Sequence, residues 1–282
     1  MGLESRLSMC TNVYTNYPLN EAVKRIRWLG YPGIEIWGGG GVSATPHVSP
    51  TYMTAESILE VKATIQAEGL QVAAFCNDPR LINIASPDQN ERKRSIEYLR
   101  KAVDCSAEIG SPTMVMVPGS GQFGQPRKEA WNFSREAIGI VCDYAKSRGV
   151  KIALEPMTRL ESNFLLFLDD LLDMFKEVGA SNLGCNLDVA HANVNHENLV
   201  DYKILGNRLF HVHISDNDGK YDSGLVLGEG TLYLEPFLRM LKQIDYKGYL
   251  STEVGFAYLL DPDSAALRMH HALRSLLQAI ED

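Results

Sequence analysis

Short apolar runs alternate along this chain with longer stretches whose apolar residues recur every three or four positions. The short runs, at 7–10, 33–37, 71–76, 113–117, 150–155, 183–188, 209–214 and 248–253, predict strands. The longer stretches, at 19–29, 54–68, 88–109, 128–148, 166–178, about 196–205, 234–244 and 261–280, predict helices. Ala22, Val23, Ile26 and Leu29 mark the apolar face of the first helix; Ile58, Val61 and Ile65 mark that of the second. Gly69, Gly110, Gly149 and Gly179 stand where helices should stop. One run alternates strictly: Leu209, His211 and His213 on one face, Phe210, Val212 and Ile214 on the other. It opens into Ser215, Asp216, Asn217, Asp218 and Gly219, which are loop formers.

The pattern amounts to eight strand-then-helix units, about 35 residues each when the length is divided evenly. That rhythm implies parallel strands joined by helical crossovers. Eight such units in a chain of this size predict an α/β fold, a single (β/α)8 TIM barrel, with 1–282 as one domain because no linker breaks the rhythm. A doubly wound open sheet is the alternative. The chain has no G-x-G-x-x-G after the first strand and no G-x-x-x-x-G-K-[ST]. The glycines at 38–41, in a long connection running to Pro50, are read as a flexible loop over the barrel mouth.

Composition narrows the partners. The formal charge of −8 argues against nucleic acid, which needs clustered Lys and Arg, and gives no reason to expect an acidic membrane surface. No apolar run is long enough to span a bilayer, and the first residues lack the apolar core of a signal peptide. Five scattered cysteines without a Cys-x-x-Cys pair are read as reduced thiols, hence a cytoplasmic protein.

In such a barrel, chemistry sits at the carboxyl ends of the strands. There the fifth, sixth, seventh and eighth strands end in Glu155, Asp188, His213 and Glu253. Carboxylates so close would repel unless a cation neutralised them. A mixed carboxylate and imidazole set suits Mn²⁺ first, with Co²⁺, Mg²⁺, Fe²⁺ or Zn²⁺ as alternatives. The plainer reading is that each acid ends its strand because a loop begins there. Flanking candidates are His191, three residues after Asp188, and Glu161, six after Glu155. His211 is expected to pack one pleat deeper, Asp216 to orient His213, and His270 and His271 to do no chemistry. Trp37, Phe75 and Tyr14 are rim aromatics that could stack on a ligand or plug the barrel.

At these residues the chain resembles the xylose isomerase-like barrels. The matching pieces are Gly33-Ile34-Glu35-Ile36-Trp37-Gly38, Leu154-Glu155-Pro156, Asp188-x-x-His191, His211-Val212-His213 with Asp216, Gly228-Glu229-Gly230, and Glu253. Glu155 to Asn163 is similar to the Glu-Pro-x-Thr-x-x-Glu-Ser-Asn of tagatose/psicose and fructoselysine 3-epimerases. The resemblance implies a metal held by Glu155, Asp188, His213 and Glu253, and sugar hydroxyls met by Glu161 and His191; of the rim aromatics, Trp37 is the substrate-binding candidate. The tagatose-type enzymes carry an arginine six residues after the histidine ligand; here that position is Gly219, followed by Lys220.

The expected reaction is inversion at C3 of a small-molecule ketose through an enediolate, Glu155 and Glu253 exchanging the proton on opposite faces. A homo-oligomer, dimer or tetramer, is expected. Three alternatives stay open: an aldose–ketose isomerase (hydroxypyruvate or inosose type), a dehydratase or C-glycoside lyase on the same metal, and a non-catalytic sugar-binding barrel. An abasic-site nuclease fits poorly. No histidine lies between Val48 and Ala190, and the Asp-x-His expected after the seventh strand reads Asp222-Ser223-Gly224.

Overall fold

The computed structural model describes residues 2–39, 46–78 and 82–281. In chain order it contains β1 (Leu7–Cys10), α1 (Leu19–Trp28), β2 (Gly33–Gly39), α2 (Ala55–Ala67), β3 (Gln71–Asp78), α3 (Gln89–Ile109), β4 (Thr113–Met116), α4 (Arg127–Ser147), β5 (Lys151–Leu154), α5 (Leu168–Val178), β6 (Leu183–Asp188), α6 (Val189–Val194), β7 (Leu209–Ile214), α7 (Glu235–Gln243), β8 (Tyr249–Thr252) and α8 (Pro262–Ala279). The strands are parallel, pair in sequence order and close where β1 meets β8, with Leu7 opposite Leu250 and Met9 opposite Thr252. This is the (β/α)8 TIM barrel that the spacing predicts.

The core lies between barrel and helices. Met114, Ile152, Leu187, Val212 and Leu250 turn outward from the strands and are fully or almost fully buried, with Leu99, Ile138, Leu171, Leu238 and Leu273 from the helices in the same cluster. Each such side chain contributes about 2 kcal/mol through burial. The helices stop and start as their capping residues dictate. Asp88 accepts the amide of Asn90 to open α3, and Gly110 ends it at φ +84°.

Two register shifts matter for the site. One lies between Ile34 and Glu35 of β2, against β3; the other between Cys185 and Asn186 of β6, against β7. On β7 the shift passes over Phe210, since Leu209 pairs with Cys185 but His211 with Asn186. The strict alternation expected over 209–214 therefore breaks at Phe210. Its ring packs over Gly184, where a Cβ would collide with it, and against the Lys151 ammonium. The bulge brings His213, not Val212, level with Asp188.

Other expectations shift as well. Gly38 is not loop but part of β2, opposite Asn77, and a Cβ there would run into the Phe75 ring; residues 40–45 of the expected loop lie outside the described residues. The helix expected at about 196–205 is a 3-10 segment, Leu199–Arg208, broken at Gly206. Before it stands α6, which the apolar spacing did not reveal because the Asp188 side chain starts it. The five cysteines are unpaired and buried. Among the described residues, no helix is long and apolar enough to cross a membrane.

Candidate active site

A cleft of about 320 Å³ opens at the carboxyl ends of the strands. Glu155, directly after β5, keeps the ladder by donating its amide to the Met116 carbonyl at 3.0 Å. Glu253 does the same after β8, to the Ile214 carbonyl at 3.0 Å. Backbone pairing thus aims both carboxylates into the cleft. Asp188 divides its two oxygens. Oδ1 accepts the amides of Ala190 at 2.7 Å and His191 at 3.0 Å, which caps α6. Oδ2 faces His213.

The four residues expected to hold a metal converge. His213 Nδ1 lies 2.8 Å from Glu253 Oε2, 3.6 Å from Glu155 Oε1 and 3.9 Å from Asp188 Oδ2. Asn186 Nδ2 is 3.1 Å from the same nitrogen, while Asn186 Oδ1 is buried without a hydrogen-bond partner. Asp188, His213 and Glu253 offer ligand atoms that all lie within 4.8 Å of one another, as do Glu155, Asp188 and His191, and such oxygen and nitrogen donor sets can hold a divalent cation.

The electrostatics point the same way. Burial pushes the Asp188 carboxyl up to about 7. Burial also raises Glu253 against the pull of His213. Glu155 is held below its usual range, because His213 and then His191 outweigh its burial. Burial alone would lower His213, but Glu253 and Glu35 raise it well above the imidazole range. Without another cation, a proton on His213 offsets part of the cluster's negative charge.

The residue that orients His213 is not the expected one. Asp216 does not touch it. Asp216 instead accepts the amides of Asn217, Gly228, Gly230 and Leu232 at 2.8–3.1 Å. It thereby staples the loop after β7, and a Cβ on Gly230 would collide with Asp216 and Asn217. Glu35, reaching across the barrel from β2, binds both histidines. His213 Nε2–H donates to Oε1 at 3.0 Å, and His211 Nε2–H to Oε2 at 3.1 Å. The two imidazoles hold the fully buried Glu35 well below the usual carboxylate range despite its burial. With Nε2–H committed to Glu35, Nδ1 is left for a proton or a metal ion. His211 is buried beneath the site, as expected.

His191 and Glu161 also reach the cleft. His191 Nδ1–H donates to the Pro156 carbonyl at 3.1 Å, and its Nε2 faces Asp222 Oδ2 at 3.3 Å and Glu161 Oε2 at 3.6 Å. Glu161 accepts the Thr158 hydroxyl at 2.9 Å. Trp37 lines the cleft, its ring edge-on to Phe256 at 5.9 Å. The other two aromatics are elsewhere: Phe75 is in the core and Tyr14 donates to Asp263 at 3.0 Å. His270 packs on Tyr31 at 4.6 Å, away from the cleft.

Sequence reading missed Glu35, Asn186, Asp222, Asn12, Asn77 and Phe256 as site residues. Glu35 carried a signal, an ionisable residue inside an apolar strand, which is rarely buried without a partner. Asn12 and Asn77 line the cleft with one amide atom spare. Asn12 Nδ2 donates to the Val254 carbonyl at 2.9 Å and its Oδ1 is unpartnered; Asn77 Oδ1 accepts the Tyr98 hydroxyl at 3.1 Å and its Nδ2 is unpartnered.

Comparison with known proteins agrees with this architecture. The family model for xylose isomerase-like TIM barrels matches residues 23–276. Fructoselysine 3-epimerase of Shigella flexneri is 27% identical over 275 residues, covering 96% of this chain and 98% of that protein. An L-ribulose 3-epimerase of Methylomonas sp. (strain DH-1) is 30% identical over 206 residues, covering 71% of this chain and 70% of that protein. The solved structure of an L-ribulose 3-epimerase superposes with a TM-score of 0.83 at 21% identity, covering 100% of this chain and 96% of that one, a likeness of fold.

Proposed function

The chain belongs to the xylose isomerase-like TIM barrel family, and on that premise we propose that it is a divalent-metal-dependent sugar epimerase that inverts C3 of a ketose. One observation carries the reading: oxygens of Glu155, Asp188 and Glu253 gather around His213 Nδ1 at the carboxyl ends of four successive strands. Those four residues would hold the cation, with Mn²⁺ the first choice for an oxygen-rich set. When bound, it supplies Lewis-acid polarisation of the ketose carbonyl and the adjacent hydroxyl.

The chain's own residues move the proton. β5 and β8 are separated around the ring by β6 and β7, so Glu155 and Glu253 approach the cleft from different sides. One removes the C3 proton as the enediolate forms, and the other returns a proton to the opposite face. His191 and Glu161 meet sugar hydroxyls, and Asn12 and Asn77 line the same cleft. Trp37 and Phe256 cover an apolar face of the sugar. Glu161 and Asp222 flank His191, and no Lys or Arg lines the cleft among the described residues. An unphosphorylated ketose fits that charge. Buried, unpaired thiols suit a cytoplasmic enzyme. We take 1–282 as one domain that forms a dimer or tetramer, to be read by sedimentation.

The test is incubation of candidate ketoses in D₂O with the Mn²⁺-loaded protein. Deuterium at C3 together with the C3 epimer is the expected product, lost on chelation and restored by Mn²⁺. Label at C1 with an aldose product replaces the epimerase by an isomerase. An unsaturated or cleaved product replaces it by a lyase, and tight binding without exchange by a sugar-binding protein.

A further inference from the structure

The proton chemistry leaves one buried group unused: two thiols at the neutral side of the cleft. Cys10 ends β1 and Cys76 lies in β3; both are buried, and they form a hydrophobic cluster with Trp37. Their sulfurs lie within 4.8 Å of each other, and a Glu253 oxygen lies within 4.8 Å of both. Cys76 lines the cleft, so the pair can be reached from it.

Strand geometry restricts what this pair can do. β2 stands between β1 and β3, and Cys76 is level with Trp37, two residues beyond the Glu35 that pairs with Cys10, so two strand spacings of about 4.8 Å and that offset put the Cα atoms more than roughly 9 Å apart. A disulfide needs them within about 7 Å, and backbone pairing on both sides of each strand resists that movement. A metal ion has no such difficulty. Bonds of about 2.3 Å to each sulfur in a tetrahedral ion place the sulfurs about 3.8 Å apart, within the 4.8 Å that already bounds their separation.

We propose that Cys10, Cys76 and Glu253 form a second metal site, selective for a thiophilic divalent cation such as Zn²⁺ or Cd²⁺, whose occupation inhibits the enzyme. Soft thiolates choose such ions over Mn²⁺ or Mg²⁺, and water from the cleft completes the tetrahedron. On binding, two S–H protons leave to solvent and each sulfur coordinates as thiolate. Inhibition follows because the site takes the Glu253 carboxylate away from the catalytic cluster. That consequence rests on the role given to Glu253 above; the binding site does not.

The test titrates reduced, Mn²⁺-loaded protein with Cd²⁺. A thiolate-to-cadmium charge-transfer band should rise in the ultraviolet to an endpoint at one ion per chain, while ketose turnover is lost and then recovered with a dithiol chelator. Mn²⁺ ligands alone give no such band, having no sulfur. Cys10→Ala should turn over normally without Cd²⁺, lose about half the band or more with one thiolate gone, and resist inhibition. Cys10→Ser keeps the side-chain size if the alanine variant melts early, and Cys105→Ala should behave as wild type. No band at stoichiometric Cd²⁺, or a full band in the Cys10 variants, overturns the site. A protein that turns over no ketose yet shows the Cys10-dependent band retains this site and loses the epimerase reading.

Discussion

The two halves of the barrel mouth are chemically unlike. Strands β5 to β8 send Glu155, Asp188, His213 and Glu253 into the cleft. The side chains that reach it from the β1 to β4 half, Asn12, Trp37, Cys76, Asn77, Val115 and Val117, are uncharged among the described residues. The contrast teaches how the site divides its labour. Crowded carboxylates need a shared positive charge, a proton or a cation, so on the proposed reading acid, base and metal stand together. The opposite wall offers amides, an indole, a thiol and aliphatic carbons, and no carboxylate that would draw a hard cation away from the charged side. Glu35 is the exception that supports the division. It belongs to β2, but its charge is spent beneath the cleft on His211 and His213.

Substitutions in the two halves should therefore fail differently. The largest effect belongs to the charged half: Glu253→Gln should lower kcat about 10²- to 10⁴-fold while a ketose still binds in calorimetry. Loss of binding with kcat intact would reverse the assignment. Next comes the bridge between the halves. Glu35→Gln should weaken Mn²⁺ binding about 10- to 100-fold, read by electron paramagnetic resonance, because His213 loses its orienting partner. Unchanged affinity would make Glu35 merely a core ion pair. On the neutral side, Asn77→Ala should raise KM about 2- to 10-fold with kcat nearly kept, the worth of one hydrogen bond. A kcat loss as deep as that of Glu253→Gln would erase the distinction.

The smallest effect lies outside the mouth and contrasts two buried histidines. Carboxylates raise His213, whereas burial lowers His270, which packs on Tyr31. A lowered folded-state value means that the unfolded chain takes the proton first. His270 should thus cost stability as pH falls below about 6.5, its unfolded value. His270→Leu should remove at most about 1 kcal/mol of the stability lost between pH 7 and 5, measured by urea unfolding. An unchanged slope would mean that His270 protonates freely where it lies.

How much of this could be read beforehand varies by residue. Glu155, Asp188, His213 and Glu253 were legible because each ends an apolar run, and a parallel barrel sends all such ends to one rim. Asp216 was misread because proximity in sequence suggested a contact with His213, whereas four loop amides claim its oxygens. Phe210 and α6 were misread because periodicity carries no sign of a bulge or of a side-chain cap. Asp222, Asn12 and Phe256 left no pattern at all, being loop or short-turn residues.

Local spacing determined the order of strands and helices, the closed-barrel class and the four polar residues at the rim, since hydrophobic periodicity and strand polarity are properties of neighbouring residues. Only the tertiary structure decided that Glu35 grips His213 across the barrel, that Cys10 and Cys76 touch over an intervening strand, and which half of the mouth is neutral. Those facts depend on ring closure and register, which bring together residues as far apart as positions 35 and 213, and no local pattern encodes a distance across a barrel.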